Sequence, residues 1–188
     1  MNATLRALLL LSAPALALLS AAAHTAEWKA PKTDAAKIAN AMTAAPPSVS
    51  RTATVAEMSE DGTMKVLRKG SNDWTCVPDD PSSPGNDPMC LDPNAMEWLH
   101  AYMGKKSPPS DKIGFIYMLQ GGWDFSNLDP YATEPDGKAT ITGPHVMVVG
   151  PGVKGVPGYD RTGNRVNPAI PYVMWKDTEY EHLMIPVR

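Results

Sequence analysis

The segment between the two cysteines constrains the fold more than any other part of the chain. Four prolines lie between Cys76 and Cys90, within residues 78–88, together with three aspartates and one glycine. Proline fixes φ and has no backbone N–H, so this segment cannot form a helix or a central strand. We therefore predict a long irregular loop that the cysteines close if they pair.

Residues 1–23 have the pattern of a secretory signal peptide. Arg6 precedes an almost unbroken apolar run over residues 7–19, and three alanines follow at residues 21–23. The apolar run is well short of the roughly 20 residues that a membrane-spanning helix needs. We expect cleavage to leave a mature chain, residues 24–188, that is exported to the periplasm or the extracellular space and has no membrane span.

Export places Cys76 and Cys90 in an oxidising compartment, where an even pair of cysteines normally forms a disulfide. A thiolate metal site is the alternative, but the Cys-x-x-Cys spacing of such sites is missing. We predict the disulfide, which stabilises by about 3 kcal/mol in the chain-entropy model.

The length of the mature chain is sufficient for one hydrophobic core, so we predict a single domain. The formal net charge of the whole chain is −3. An acidic chain with scattered basic residues does not favour phosphate backbones, so we predict no nucleic-acid partner. The charge leaves open whether the partner is a protein or a small molecule.

Two segments have the caps and the one-sided apolar spacing of surface helices. Thr33 is placed to cap a helix over residues 34–44, and Asp92 to cap one over residues 93–104. We expect each helix to pack by one face on the rest of the domain.

Eight segments have the alternation or apolar run of a strand, with turn residues between them: residues 52–58, 63–68, 74–77, 113–119, 139–142, 145–149, 172–175 and 182–187. The first two are predicted to form a β-hairpin. Residues 113–119 are predicted to form a central strand buried on both faces. No long helix separates the later strands, so the fold class is predicted to be α+β: a mostly antiparallel sheet, about two packed helices, long Pro/Gly-rich loops and one disulfide.

A repeated His-x-Met pattern suggests a metal site. His145 with Met147, and His182 with Met184, would each present an imidazole and a thioether on one side of a strand. This donor set suits copper, so the four residues are a candidate copper site if the two strands pair. The alternative is that the methionines fill the core and the histidines bond locally.

Two further metal hypotheses have simpler alternatives. Cleavage after Ala23 would free an amino group beside His24, a chelating pair, although a frayed terminus explains the same residues. Calcium is a less favoured cofactor, because aspartates beside proline and glycine are also typical of turns and caps. The residues concerned are Asp79, Asp80, Asp87, Asp92, Asp124, Asn127 and Asp129.

No common catalytic motif is present in the sequence. A hydrolase-like enzyme would need an acid–base pair near Gly121 and Gly122 and a cavity that joins its members. The candidates for that pair are His145, His182, Asp124 and Asp129. Tryptophans that could line a ligand groove or simply fill the core are Trp74, Trp98, Trp123 and Trp175.

Several short segments are similar to segments of a family of exported bacterial proteins with no assigned activity: residues 74–76, 87–90, 117–119, 143–147, 171–175 and 182–184. The resemblance covers most of the mature chain. It implies export and no particular reaction or ligand. The leading interpretation is a non-enzymatic binding or structural module that uses its Pro/Gly-rich loops. A copper-binding protein and a hydrolase-like enzyme are the alternatives.

Overall fold

The computed structural model describes residues 28–59, 62–135 and 140–187. The predicted signal peptide and His24 lie outside these ranges. Within them, no helix is long and apolar enough to cross a membrane.

An eight-stranded sheet forms the centre of the domain, in the order β2-β1-β3-β4-β5-β8-β10-β9, and β6 and β7 form a separate two-stranded sheet. The strands are β1 Thr54–Met58, β2 Met64–Arg68, β3 Thr75–Val77, β4 Met89–Leu91, β5 Gly114–Met118, β6 Gly122–Asp124, β7 Thr140–Thr142, β8 His145–Val149, β9 Tyr172–Met174 and β10 His182–Pro186. Neighbouring strands are antiparallel except β1 and β3, which are parallel. The predicted α+β class with a mostly antiparallel sheet is confirmed.

The helices form where the caps predicted them. Helix α1 spans Asp34–Ala41 and is capped by Thr33, whose side chain accepts a hydrogen bond from the backbone N–H of Ala36. A single 3-10 turn, Met42–Ala44, extends it, and α2 follows at Pro47–Ser50. Helix α3 spans Pro93–Met103, with the Asp92 carboxylate accepting from the N–H of Ala95. Side-chain oxygens thus satisfy N–H groups that a helix start leaves without partners.

The sheet has a different layer on each face. Residues of α1 and α2 and the segment that joins them pack on the face that carries Val55 and the two cysteines. Helix α3 packs on the other face, where Trp98 and Leu99 join a cluster with Ile116 and Met184. The sheet is therefore the middle layer, and burial on both sides stabilises it.

The predicted disulfide is confirmed. Cys76 and Cys90 lie directly opposite each other in β3 and β4, and both are fully buried. Residues 78–88 leave the sheet at this bond and contain no helix or strand, as their prolines predict.

The prediction that residues 113–119 are buried on both faces was only half right. Strand β5 is the fifth of the eight strands, but only the side of Gly114, Ile116 and Met118 is buried. Phe115 points to the opposite face and is 45% exposed. Successive strand residues face opposite sides, and the helical layer leaves Phe115 uncovered.

Candidate functional site

The two-stranded sheet lies over the α3 face of the large sheet and is joined to it by polar contacts. The hydroxyl groups of Thr142 and Tyr172 hydrogen-bond at 2.6 Å, and both residues are buried. Gly122 has no side chain, and this leaves room for the imidazole of His145. A Cβ at residue 122 would lie 3.2 Å from Cε1 of that ring. The inner side of β6 and β7 is thus held close to β8 and β9.

Asp124 lies on this inner side, because alternation along β6 places it on the same face as Gly122. It lines a cavity of about 160 Å³, together with four aromatic residues, Tyr102, Trp123, Phe125 and Trp175. Asp129, three serines and two other small residues complete the wall. The structure therefore places a carboxyl group in a small cavity lined by aromatic and polar residues.

The Asp124 carboxyl group is without a partner in the described part of the chain, where no donor hydrogen-bonds to it and no cation pairs with it. Burial raises its pKa to about 7. Burial also raises the pKa of Tyr102 and of Tyr172 to about 12, and the charge of Asp124 contributes to both shifts. An ionised Asp124 would therefore gain from any cation that entered the cavity.

The aromatic wall is held rigidly. The ring centroids of Tyr102 and Trp175 are 5.1 Å apart in a stacked arrangement. The Tyr102 hydroxyl donates to the carbonyl oxygen of Pro130 at 2.7 Å, and Nε1 of Trp175 donates to that of Ser126 at 3.0 Å. Trp175 has a φ of 52°, in the left-handed region that non-glycine residues rarely adopt. Such backbone strain is often retained at binding sites.

The loop that follows β6 is fixed by its own hydrogen bonds. The Ser126 hydroxyl accepts from the backbone N–H groups of Leu128 and Asp129, at 3.0 and 2.9 Å. The Asn127 side chain donates to the carbonyl oxygens of Gly163 and Val173. Asp129 is exposed at the rim, and no basic residue is found among the described residues that line the cavity. The wall is preorganised, and its formal charges are all negative.

His145 and His182 lie beneath the cavity rather than in its wall. Each ring uses Nδ1 for a local hydrogen bond, His145 to the carbonyl oxygen of Gly143 at 2.8 Å and His182 to that of Tyr180 at 2.9 Å. A carbonyl accepts, so both rings carry the proton on Nδ1. Nε2 of His182 is buried without a partner among the described residues. Burial lowers the pKa of both histidines to about 4.

The candidate copper ligands share one face of β8 and β10. Met147 lies directly opposite Met184, and His145 lies opposite Pro186. The two histidines are therefore at opposite ends of the strand pair, about 13 Å apart along the strand direction. Within the described residues, no three His, Cys, Asp or Glu side chains form a metal-site cluster. Copper binding by His145, Met147, His182 and Met184 stays a prediction.

The aspartates considered as calcium ligands serve local structure. Asp92 caps α3, Asp80 accepts from the N–H and hydroxyl of Ser82, and Asp129 accepts from the N–H of Tyr131. The Asp79 carboxylate accepts from Nε1 of Trp28 at 2.8 Å and from the N–H of Asp87 at 2.9 Å. These are the turn and cap contacts that the simpler alternative predicted.

The predicted acid–base set is divided by the fold. Asp124 and Asp129 line one cavity, whereas His145 and His182 do not. Of the tryptophans, Trp123 and Trp175 line the cavity and Trp98 is buried behind it, 6.3 Å from the Trp175 ring. Trp74 instead packs against Tyr117, with the two ring centroids 5.4 Å apart and the rings tilted by 40°.

Sequence reasoning missed Tyr102 and Phe125 as site residues. Tyr102 lies at the end of α3, so its place in the wall depends on how the helix packs. The sequence did contain a signal for strand β6. In the run Gly122-Trp123-Asp124, a small residue and an acidic residue alternate with an aromatic one. No family model, curated protein or solved structure matches this chain.

Proposed function

We propose that the protein is a non-enzymatic binding module that holds a small organic cation in the cavity at Asp124. The observation that carries the proposal is the half-buried carboxyl group of Asp124, which has no partner among the described residues and lines a cavity with four aromatic residues. An ionised carboxylate in such a place is costly unless it is paired. A cationic ligand supplies the pairing charge.

A methylated ammonium group fits the cavity better than a metal ion does. Calcium and magnesium prefer several clustered carboxylates, whereas the only carboxyl groups in the described wall are those of Asp124 and the exposed Asp129, beside four aromatic residues. Aromatic rings attract cations through their negative faces, and this attraction is the usual basis of quaternary ammonium recognition. A quaternary ammonium also needs no hydrogen-bond acceptor, so the single half-buried carboxylate is sufficient.

The size of the cavity supports a ligand of this kind. Its volume is about 160 Å³. Cavities of about 150 Å³ in other proteins hold a molecule of the size of benzene. A tetramethylammonium ion has one heavy atom fewer than benzene and falls within this range. The cavity therefore suits the head group of a small cation.

Export to the periplasm or the extracellular space is part of the proposal. The signal-like pattern of residues 1–23 and the buried disulfide between Cys76 and Cys90 support it. Binding would then occur with solutes outside the cytoplasm.

The first experiment is calorimetric titration with choline and with its uncharged analogue 3,3-dimethylbutan-1-ol. We expect choline to bind at least tenfold more tightly, because only the cation pairs with Asp124. Asp124→Asn should abolish the difference, whereas Asp129→Asn, at the exposed rim, should weaken choline binding only slightly. Equal binding of the two compounds by the wild-type protein would overturn the proposal.

The affinity for choline should also depend on pH. The charge of Asp124 acts on Tyr102 and Tyr172, whose pKa values are raised to about 12, so both side chains stay neutral below pH 10. Asp124 must lose its proton to pair with the cation. We expect the affinity to fall about tenfold per pH unit below 7 and to level off above it. A constant affinity between pH 5 and pH 8 would contradict this assignment.

The copper-binding protein and the hydrolase-like enzyme stay alternative predictions. Both use His145 and His182, which lie outside the cavity wall. His182→Gln should therefore leave the discrimination between choline and its analogue intact, provided that the variant folds.

A further inference from the structure

A second cavity adjoins the one at Asp124. It has a volume of about 400 Å³, and its wall includes Gly122, Ile141 and Thr142 of the two-stranded sheet. Trp123 lines both cavities. Residues 82 and 83 line the first cavity and residues 84–86 line the second. The two cavities are thus neighbours: they share Trp123, and consecutive residues of one loop line them.

The loop that forms this common wall is held in place. The Asn40 side chain accepts from the N–H of Asp79 at 2.8 Å and donates to Oδ1 of Asn86 at 2.8 Å. A Cβ on Gly85 would lie 3.8 Å from Cβ of Trp123, so the loop rests against the tryptophan. The disulfide closes the base of the loop. The two cavities therefore keep a fixed relation to each other.

The chemistry of the second cavity differs from that of the first. No charged side chain occurs in its wall among the residues that the structure describes. Its two amide side chains already have partners, since Asn86 bonds to Asn40 and Gln120 donates to the carbonyl oxygen of Thr43. Ile141 is 66% exposed beside it. The wall of the second cavity therefore consists mainly of apolar side chains and of glycine backbone, which an uncharged part of a ligand can contact.

We propose that the ligand is elongated, with a quaternary ammonium head in the Asp124 cavity and an uncharged alkyl tail that passes Trp123 into the second cavity. The inference rests on the proposed function and names the class of ligand. The unpaired carboxylate fixes the position of the head, and the second cavity, which shares Trp123 and the loop of residues 82–86 with the first, gives the direction of the tail. Burial of the tail also covers the exposed Ile141 side chain.

The experiment is a calorimetric series of tetramethylammonium followed by butyl-, hexyl- and octyltrimethylammonium, each below its micelle concentration. We expect the affinity to rise about threefold to fourfold for each methylene that enters the second cavity, and then to level off. The n-alkanols of the same lengths form a matched series without the head, and they should bind much more weakly at every length.

Ile141→Ser tests the path of the tail. Ile141 is exposed and lines only the second cavity, so this variant should reduce the gain per methylene and leave tetramethylammonium binding unchanged. Val66→Ser is the control, because Val66 is also exposed, at 52%, and lies on the distant edge strand β2. It should leave the whole series unchanged.

The outcomes separate the two proposals. Tetramethylammonium binding with no gain along the alkyl series overturns the elongated ligand and leaves the cation site. If Ile141→Ser does not change the rise in affinity per methylene, the assigned path of the tail is overturned. Alkanols that bind as tightly as the ammonium compounds overturn the role of the head. No binding of any cation overturns the proposed function itself.

Discussion

Two carboxyl groups of this domain, the buried one of Glu181 and the half-buried one of Asp124, have opposite surroundings. Glu181 is 3% exposed, and both oxygens of its carboxylate accept from the Arg161 guanidinium at 2.8 Å. The backbone N–H groups of Gly155 and Asp177 add two hydrogen bonds at 2.6 Å. In the described structure, Asp124 has no such donor.

The pKa values show what the difference means. Burial alone would raise the pKa of Glu181, but the bonds from Arg161 and from the two backbone N–H groups lower it to about 2. For Asp124 burial acts unopposed and raises the pKa to about 7. Glu181 holds residues 153–171 against the start of β10, so its charge stabilises the fold. The charge of Asp124 is left for a ligand to pair.

The largest effect is expected from Glu181→Gln. The substitution leaves the exposed Asp177 as the charged partner of Arg161 and disturbs the bonds from two backbone N–H groups, and the loss of several charge-assisted hydrogen bonds costs about 3 to 5 kcal/mol. Urea unfolding at pH 7 measures the loss. Glu97→Gln breaks an exposed pair with Lys112 and should change little. A Glu181 variant as stable as the Glu97 variant would show that Glu181 does not hold the loop.

The next effect concerns His145 and His182, which the fold keeps neutral. Their folded pKa values of about 4 lie below the ordinary value of 6.5, so the unfolded chain takes up protons first as the pH falls. Stability from these groups is complete above pH 6.5 and is lost as the pH falls towards 4, by about 3 kcal/mol for each ring. Urea unfolding across this pH range measures the slope.

The exposed histidine provides the control for that measurement. His100→Gln should leave the slope between pH 4 and 6.5 unchanged, whereas His182→Gln should reduce it by about half. The stability that Glu181 provides is complete above pH 4.5 and is lost below it, because its pKa is lowered. Asp124 and Asp87 add a slope of opposite sign above pH 4, because their pKa values are raised to about 7. The test is therefore the difference from the variant: equal slopes for the wild type and His182→Gln would contradict the burial of the His182 ring.

The smallest expected effect is that of Asp124→Asn, and its sign is opposite to that of Glu181→Gln. The folded pKa of Asp124 is raised from 3.8 to about 7, so the stability that its protonated form provides is lost as the pH rises through this range. Asp124→Asn should therefore be more stable than the wild type at pH 8 and equally stable at pH 3.5. The full pKa shift corresponds to about 4 kcal/mol, and the partial exposure of the carboxyl group to solvent reduces the expected gain to about 2 kcal/mol. An Asn variant that loses stability at pH 8 would mean that Asp124 has a structural partner.

Local signals were sufficient to predict much of the fold. The caps at Thr33 and Asp92 gave the starts of α1 and α3, and alternation gave the β1–β2 hairpin. Strands β4 and β6 were missed because each is short and lies beside residues typical of turns, the proline-rich loop before Met89 and the pair Gly121-Gly122. The parallel pairing of β1 with β3 depends on tertiary packing, which no local pattern records.

The candidate site was less predictable than the fold. Asp124 and Trp123 were noted from the sequence, but as a calcium ligand or acid–base group and as a groove residue. Their role in the cavity depends on Tyr102 from α3 and Trp175 after β9, which come together only when the sheets are assembled. The pKa of Asp124 depends on burial and on missing donors, and neither can be read from its neighbours in the chain.

The position of the disulfide affects when the domain reaches full stability. It joins β3 to β4, where strands from residues 54–77 meet those from residues 89–186 in the sheet. A newly made reduced chain has only noncovalent contacts at this join, and it is less stable by about 3 kcal/mol. Oxidation then fixes the join and the loop that walls both cavities in a single step. If the chain is exported as we propose, the proposed binding site is completed only in an oxidising compartment, where the disulfide forms.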